Sequence, residues 1–165
     1  MSKIGIFYGS SSGNTESIAK RIAAKLGIAP NDIYDVGSAK ADRLADYDVL
    51  LLGSSTWGIG DLQDDWEGFI HALPSAVAGK KVALFGCGDS ASYSDSFCSA
   101  VGKLYSAVKD LAVVVGFTGT DGYSFDASEA FVDNRFVGLL IDEDNESNLT
   151  EQRIEQWTAA LKEAV

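Results

Sequence analysis

The stretch KIGIFYGSSSGNTES (Lys3–Ser17) sets an apolar run against a loop of hydroxyls, and behind it apolar residues recur at Ile18, Ile22 and Leu26. KIGIFY (3–8) reads as a buried strand. The later spacing is helical, with Gly27 as a C-terminal stop. The turn between them, Ser10-Ser11-Ser12-Gly13-Asn14-Thr15, contains no lysine or arginine. It can offer an anion only hydroxyls, backbone N–H groups and the positive end of a helix dipole. Two familiar phosphate loops are excluded. Gly9 and Gly13 are too close for the triphosphate-binding pattern, and Asn14 stands in place of its lysine. The dinucleotide fingerprint G-x-G-x-x-G is absent. Two readings remain: a single terminal phosphate held without a cation, or a polar turn with an N-cap. The loop alone serves both equally.

Working outward, apolar runs alternate with amphipathic stretches. NDIYDV (31–36) alternates like a strand, and DVLLLG (48–53) is continuously apolar, as in a strand covered on both faces. DLQDDWEGFIHAL (61–73) predicts a helix with Leu62, Trp66, Phe69, Ile70 and Leu73 on one side. KKVALFGCG (80–88) predicts a strand, SFCSAVGKLYSAVKDL (96–111) a helix and AVVVGF (112–117) another strand. The last helix is expected near Asn148, with Glu151 as a capping-box partner and Ile154, Trp157 and Leu161 inward. This alternation implies an α/β fold with a parallel sheet and helices on both faces, in one domain over 1–165. The 18 residues TGTDGYSFDASEAFVDNR, before FVGLLI (136–141), are too many for an ordinary loop. Tyr123, Phe125 and Phe131 argue against disorder, so the segment reads as an ordered excursion from an edge strand.

Composition removes whole classes of function. With 13 basic and 24 acidic residues the net charge is −11, which repels nucleic acid and anionic membranes. It suits a basic protein partner, or serves solubility alone. No apolar run approaches the roughly 18 residues of a membrane span. The N-terminal MSKIGIFYG does not read as a secretory signal. Cys87 and Cys98 form no disulfide framework, and with His71 as the single histidine a Cys/His metal site is not expected. Together these point to a reducing cytoplasm. His71 reads as a surface bystander, and Trp66 and Trp157 as core packing.

In an open parallel sheet a ligand binds at the carboxyl ends of the strands, where strand order reverses. Two further loops lie there. Ser54-Ser55-Thr56-Trp57-Gly58-Ile59-Gly60-Asp61 carries a tryptophan that either covers a flat ligand or folds back on its own domain. Cys87-Gly88-Asp89-Ser90-Ala91-Ser92-Tyr93 offers a second aromatic on the neighbouring strand end. Trp57 and Tyr93 could clamp one ring system between them.

These residues, in this order and over the whole chain, resemble a flavodoxin of the long-chain type. Ser10–Thr15 is similar to the family's T-x-T-G-x-T phosphate loop, with serine keeping the hydroxyl at two places. TWGIG (56–60) and GDSASY (88–93) resemble the loops whose tryptophan and tyrosine cover the two flavin faces. TDGYSF (120–125) and FVGLLIDEDNES (136–147) resemble the inserted segment of long-chain members and the strand after it. The resemblance implies a three-layer, doubly wound, five-stranded parallel sheet of order 2-1-3-4-5, with the insertion in the last strand.

It also implies flavin mononucleotide (FMN) as cofactor. The phosphate would sit at Ser10, Ser11, Ser12, Gly13, Asn14 and Thr15, and the ring between Trp57 and Tyr93. Ser55, Thr56, Gly58, Ile59, Gly60, Cys87, Gly88 and Asp89 would surround the ring edges. Phe97, Cys98 and Asp144 would also lie at the cofactor, Cys98 on the pyrimidine side. In the family, the carbonyl after the tryptophan, here that of Gly58, turns toward flavin N5 in the semiquinone. Nothing basic adjoins Cys98, so a redox thiol there is not expected.

The function implied is a low-potential one-electron carrier cycling between semiquinone and hydroquinone, not an enzyme. Acidic surroundings, a dry aromatic sandwich and a cation-free phosphate site all disfavour the reduced, anionic flavin. Expected partners are basic-faced redox proteins, such as a ferredoxin/flavodoxin–NADP reductase, a pyruvate oxidoreductase or a nitrogenase reductase, met by a monomer. Two acidic runs would form the docking face: Asp61, Asp64, Asp65 and Glu67, and Asp142, Glu143, Asp144 and Glu146. The alternative is an FMN-dependent NAD(P)H:quinone oxidoreductase of similar fold. It would need a nicotinamide or quinone pocket, and no basic residues stand ready for a pyridine nucleotide. A receiver domain is set aside, because the first and third strands end in Tyr8-Gly9 and Gly53-Ser54 rather than in aspartates.

Overall fold

The opening apolar run becomes β1 (Ile4–Gly9), and the hydroxyl-rich turn leads into α1 (Asn14–Leu26), closed by Gly27 in the left-handed conformation. The chain then runs through β2 (Ile33–Asp35), β3 (Val49–Trp57), β4 (Asp61–Leu62), α2 (Asp64–Phe69), α3 (Leu73–Ala76) and β5 (Lys81–Cys87). It ends with α4 (Ser99–Val108), β6 (Val113–Val115), β7 (Phe131–Val132), β8 (Arg135–Phe136), β9 (Leu139–Ile141) and α5 (Ser147–Ala164). This computed structural model describes residues 3–165. Met1 and Ser2, which begin the stretch read as no secretory signal, lie outside the described residues.

The sheet order is β2-β1-β3-β5-β6, all parallel, with β9 also parallel to β5. β6 pairs with Lys81–Ala83 and β9 with Phe85–Cys87, so the two share the fifth strand position. The expected order is therefore present, with the last strand split by the excursion. Alternate residues of the central strands feed opposite layers. Leu50, Leu52, Val82 and Leu84 pack with Trp66 and Leu104 on one face. Ile6, Leu51 and Phe85 pack with Ile18, Ile22, Ile154 and Trp157 on the other. Trp66 and Trp157 are buried as expected, and each indole N–H donates to a backbone carbonyl, of Gly53 (2.7 Å) and Gly116 (2.8 Å).

The excursion is ordered by its aromatics. Phe136 contacts the rings of Tyr123, Phe125 and Phe131, with centroids 4.9, 5.2 and 6.2 Å away. β7 and β8 form a small antiparallel hairpin, and the Tyr123 hydroxyl donates to the Leu140 carbonyl at 2.6 Å. Burying these rings offsets the cost of ordering so long a connection.

Three local expectations are corrected. Asp61 and Leu62 are not helical, because they pair antiparallel with Trp57 and Thr56. The predicted helix over 61–73 is instead α2, a 3-10 turn at Ile70–Ala72 and α3. The last helix begins at Ser147 after Glu146, with no side-chain cap, so the capping box with Glu151 does not form. The Glu151 carboxylate instead meets Arg21 (2.8 Å) and Lys25 (3.0 Å) on α1.

Candidate functional site

Register brings the strand ends into a row. Gly9 lies beside Ser54, Ser55 beside Cys87, and Cys87 beside Ile141. Strand order reverses between β1 and β3, which is where an α/β sheet opens a crevice. The cleft there is lined by Ser12, Asn14, Ser55, Thr56, Trp57, Gly58, Cys87, Gly88, Asp89, Tyr93 and Asp144. All eleven are among the residues expected at the cofactor, and none is basic.

The 10–15 loop enters α1 through a left-handed glycine. Gly13 has φ +96° and lies just ahead of α1, in a conformation that costs a residue with a Cβ about 1–2 kcal/mol. Its N–H donates to Ser10 Oγ at 3.1 Å, tightening the turn. The first N–H groups of α1 have no partner within the helix. Thr15 is fully buried, and its hydroxyl lies beside the Cys87 thiol without reaching full hydrogen-bond geometry with any partner.

On the ring side, β3 turns through Gly58, Ile59 and Gly60 into β4, so Trp57 sits on a hairpin rather than in a loose loop. Its indole N–H donates to Ser55 Oγ at 2.8 Å, and Thr56 Oγ1 accepts from the Ala100 N–H at 3.3 Å. Trp57 is 42% exposed and Tyr93 48% exposed, so both offer open ring surface to the cleft. Ile59 is 84% exposed at the hairpin tip, whereas Gly60 is buried.

Of the other residues expected at the cofactor, Ser10, Ser11, Gly13, Thr15, Ile59 and Gly60 belong to the loops bordering the cleft without lining it, and Phe97 and Cys98 are buried in the core. Phe97 is buried against Tyr123 and Phe125 (6.1 Å each), where it anchors the excursion. Cys98 is fully buried ahead of α4, its thiol against the Ile141 carbonyl. Burial pushes its thiol well above the usual range. Cys87 does line the cleft, and burial pushes its thiol up to about 12, opposed slightly by the neighbouring Thr15 hydroxyl.

The second acidic run is also corrected. Asp142 is completely buried, Glu143 pairs with Arg21 (3.4 Å) and Glu146 with Arg153 (3.1 Å). Only Asp144 of that run is exposed, and it lines the cleft. Partial burial, then repulsion from Asp89 and Asp142, raises its carboxyl. Asp89 is held below the usual carboxylate range, first by the Ser92 N–H and also by Asn145 and the Ala91 N–H. The first run, Asp61, Asp64, Asp65 and Glu67, is exposed beside the Trp57 hairpin. His71 is exposed, as expected.

The sequence reading missed Gln63 and Asn145, and it named Ser90 and Asp142 without the link between them. Gln63 is buried between the 10–15 loop and α2. Asp142 ties Ser90 and Asn145 together behind the cleft. A buried carboxylate inside an acidic run leaves no signal in a linear sequence. Among the described residues no group of His, Cys, Asp and Glu could hold a metal ion, and no helix is long and apolar enough to cross a membrane.

Comparison with known proteins gives the same picture. The pattern describing the flavodoxin family matches residues 6–157. A flavodoxin of Synechocystis is 44% identical, covering 98% of this chain and 97% of its own. Flavodoxin 1 of Escherichia coli is 43% identical over 99% of this chain and 94% of its own. Among solved structures, a K13G variant of Fusobacterium nucleatum flavodoxin bound to flavin mononucleotide superposes with a TM-score of 0.90 at 32% identity, covering 99% of this chain and 97% of that one. The chain belongs to the flavodoxin family.

Proposed function

We propose that this chain is a single-domain carrier (1–165) that shuttles single electrons between redox proteins at low potential, through non-covalently bound FMN. The carrying observation is a cleft with no basic lining residue, flanked by half-exposed Trp57 and Tyr93 and reaching Asn14 at the α1 start, where helix N–H groups lack intrahelical partners. When bound, the flavin supplies the one-electron chemistry. Ser10, Ser11, Ser12, Gly13, Asn14 and Thr15 hold the monoester with hydroxyls and backbone N–H groups. Trp57 and Tyr93 cover the ring and exclude water from it. Ser55, Thr56, Gly58, Cys87, Gly88 and Asp89 meet its edges, with Ile59 and Gly60 shaping the turn beyond. Asp89 and Asp144 put negative charge beside the ring and resist a second negative charge there.

The chain acts as a monomer whose partners present basic faces, as a ferredoxin/flavodoxin–NADP reductase, a pyruvate oxidoreductase or a nitrogenase reductase would. Asp61, Asp64, Asp65 and Glu67, exposed beside the hairpin, suit weak electrostatic encounters. Two buried, unpaired cysteines suit a reducing cytoplasm.

Anaerobic dithionite titration of the FMN-loaded protein tests the function. Two resolved one-electron steps, the second at low potential, are expected. A single two-electron bleach together with steady-state NADPH oxidation would favour a quinone reductase. Failure to bind FMN would sink the cofactor assignment.

A further inference from the structure

Gln63 is the buried polar residue between the anion loop and the elements that carry Trp57. It is 3% exposed. Its backbone N–H donates to Ser54 Oγ at 3.1 Å, at the end of β3. Its side-chain amide Nε2 donates to Ser11 Oγ (3.1 Å) and to Asp65 Oδ2 (2.9 Å), and its Oε1 accepts the Asp65 N–H (2.9 Å). The amide can take only this orientation. Turned over, its oxygen would face the Asp65 carboxylate and its NH2 group the Asp65 N–H. The chain makes room for it, because a Cβ at Gly9 would collide with Gln63 Oε1.

Ser11 does not line the main cleft. It borders a second depression with Trp57 and Asp64. The Gln63 contact therefore grips the loop through a side chain outside the ring cleft and engages none of the loop's backbone N–H groups. The loop's own brace is the Gly13 N–H to Ser10 bond.

We infer that Gln63 is a positioning residue for the phosphate monoester: its fixed amide holds Ser11, and with it the 10–15 loop, in the conformation that receives the anion. This rests on the proposed FMN site. A ligand without the monoester should not sense the tie.

Gln63→Leu removes the donor, and Ser11→Ala removes the acceptor without touching the Asp65 contacts. Titrations with FMN and with riboflavin are compared for the unaltered protein, both variants and the double variant. Each single variant is expected to weaken FMN binding about fivefold, as loss of one hydrogen bond would, and riboflavin binding hardly at all. The double variant should bind FMN no worse than the weaker single variant. Parallel losses for FMN and riboflavin, no loss in Ser11→Ala, or additive losses would overturn the inference. If Gln63→Leu does not fold, Gln63→Met, which keeps the length of the side chain but not its amide, takes its place in the comparison. If the unaltered protein binds no FMN, the proposed function fails as well, so the two failures are distinguishable.

Discussion

Asp142 accepts a hydrogen bond from the backbone N–H of Ser90 at 3.1 Å and another from the Ser90 hydroxyl, across 52 residues of chain. The same carboxylate accepts from the N–H (3.0 Å) and the side-chain amide (3.1 Å) of Asn145. One buried group thus fastens the Cys87–Tyr93 loop to the segment that carries Asp144. Asp142→Ala should cost about 1–3 kcal/mol, since the buried N–H and hydroxyl donors that it satisfies lose their acceptor together. Urea unfolding of the apoprotein checks the stability. FMN titration should show weaker binding, because the loop that carries Tyr93 is no longer held.

Trp57 and Tyr93 are half-exposed at the cleft. Replacing either with alanine should weaken FMN binding by about 1–3 kcal/mol, the range for stacking a heteroaromatic ring on an aromatic side chain. Apoprotein stability should change by only about 0.5 kcal/mol, as for other surface substitutions. Fluorescence titration beside thermal unfolding separates the two effects. Equal losses in both would mean that the rings serve the fold.

Asp144 and Asp89 should respond to pH in opposite senses. The Asp144 carboxyl is raised in the folded state, so its ionised form opposes folding at neutral pH. That opposition disappears as pH falls through its folded-state value. Asp144→Asn should therefore be more stable than the unaltered protein at neutral pH, and the gap should close on acidification. Asp89 is lowered, so its contribution is present above its unfolded value and is lost as pH falls through the lower folded one. Asp89→Asn should be less stable at neutral pH, with its gap also closing in acid. Unfolding of both variants over a pH series reads the two signs.

The thiols of Cys87 and Cys98 should be silent in the folded protein. Both are buried and both are raised, Cys87 to about 12, which leaves almost no thiolate at neutral pH. A thiol reagent at about pH 8 should label neither cysteine until denaturant is added, and then both. Rapid labelling of native Cys98 would revive it as a cleft residue.

What could be read from the linear chain was what repeats locally or sits at a strand end. The runs at 3–8, 48–53 and 80–88 became central strands because continuous apolar sequence needs cover on both faces. Nine of the eleven residues lining the cleft lie within two residues of a strand end or of the α1 start, Tyr93 and Asp144 lying farther along their loops, and such junctions are marked by glycine and hydroxyl residues. The aromatic excursion was legible as ordered for a similar reason, since three rings in a surface loop need partners.

The sequence by itself determined the α/β alternation, the hydroxyl-rich loop ahead of α1 and the two aromatics in the loops after neighbouring strands. Only the tertiary structure decided which polar residues face inward. It moved Asp142 from an acidic surface run into a buried brace, and turned Phe97 and Cys98 away from the cleft. It also made Gln63 a link between the 10–15 loop and α2. Periodicity reports which face of an element is apolar. Whether a polar side chain on that element meets water or a partner depends on what folds over it, and that is set by residues distant in the chain.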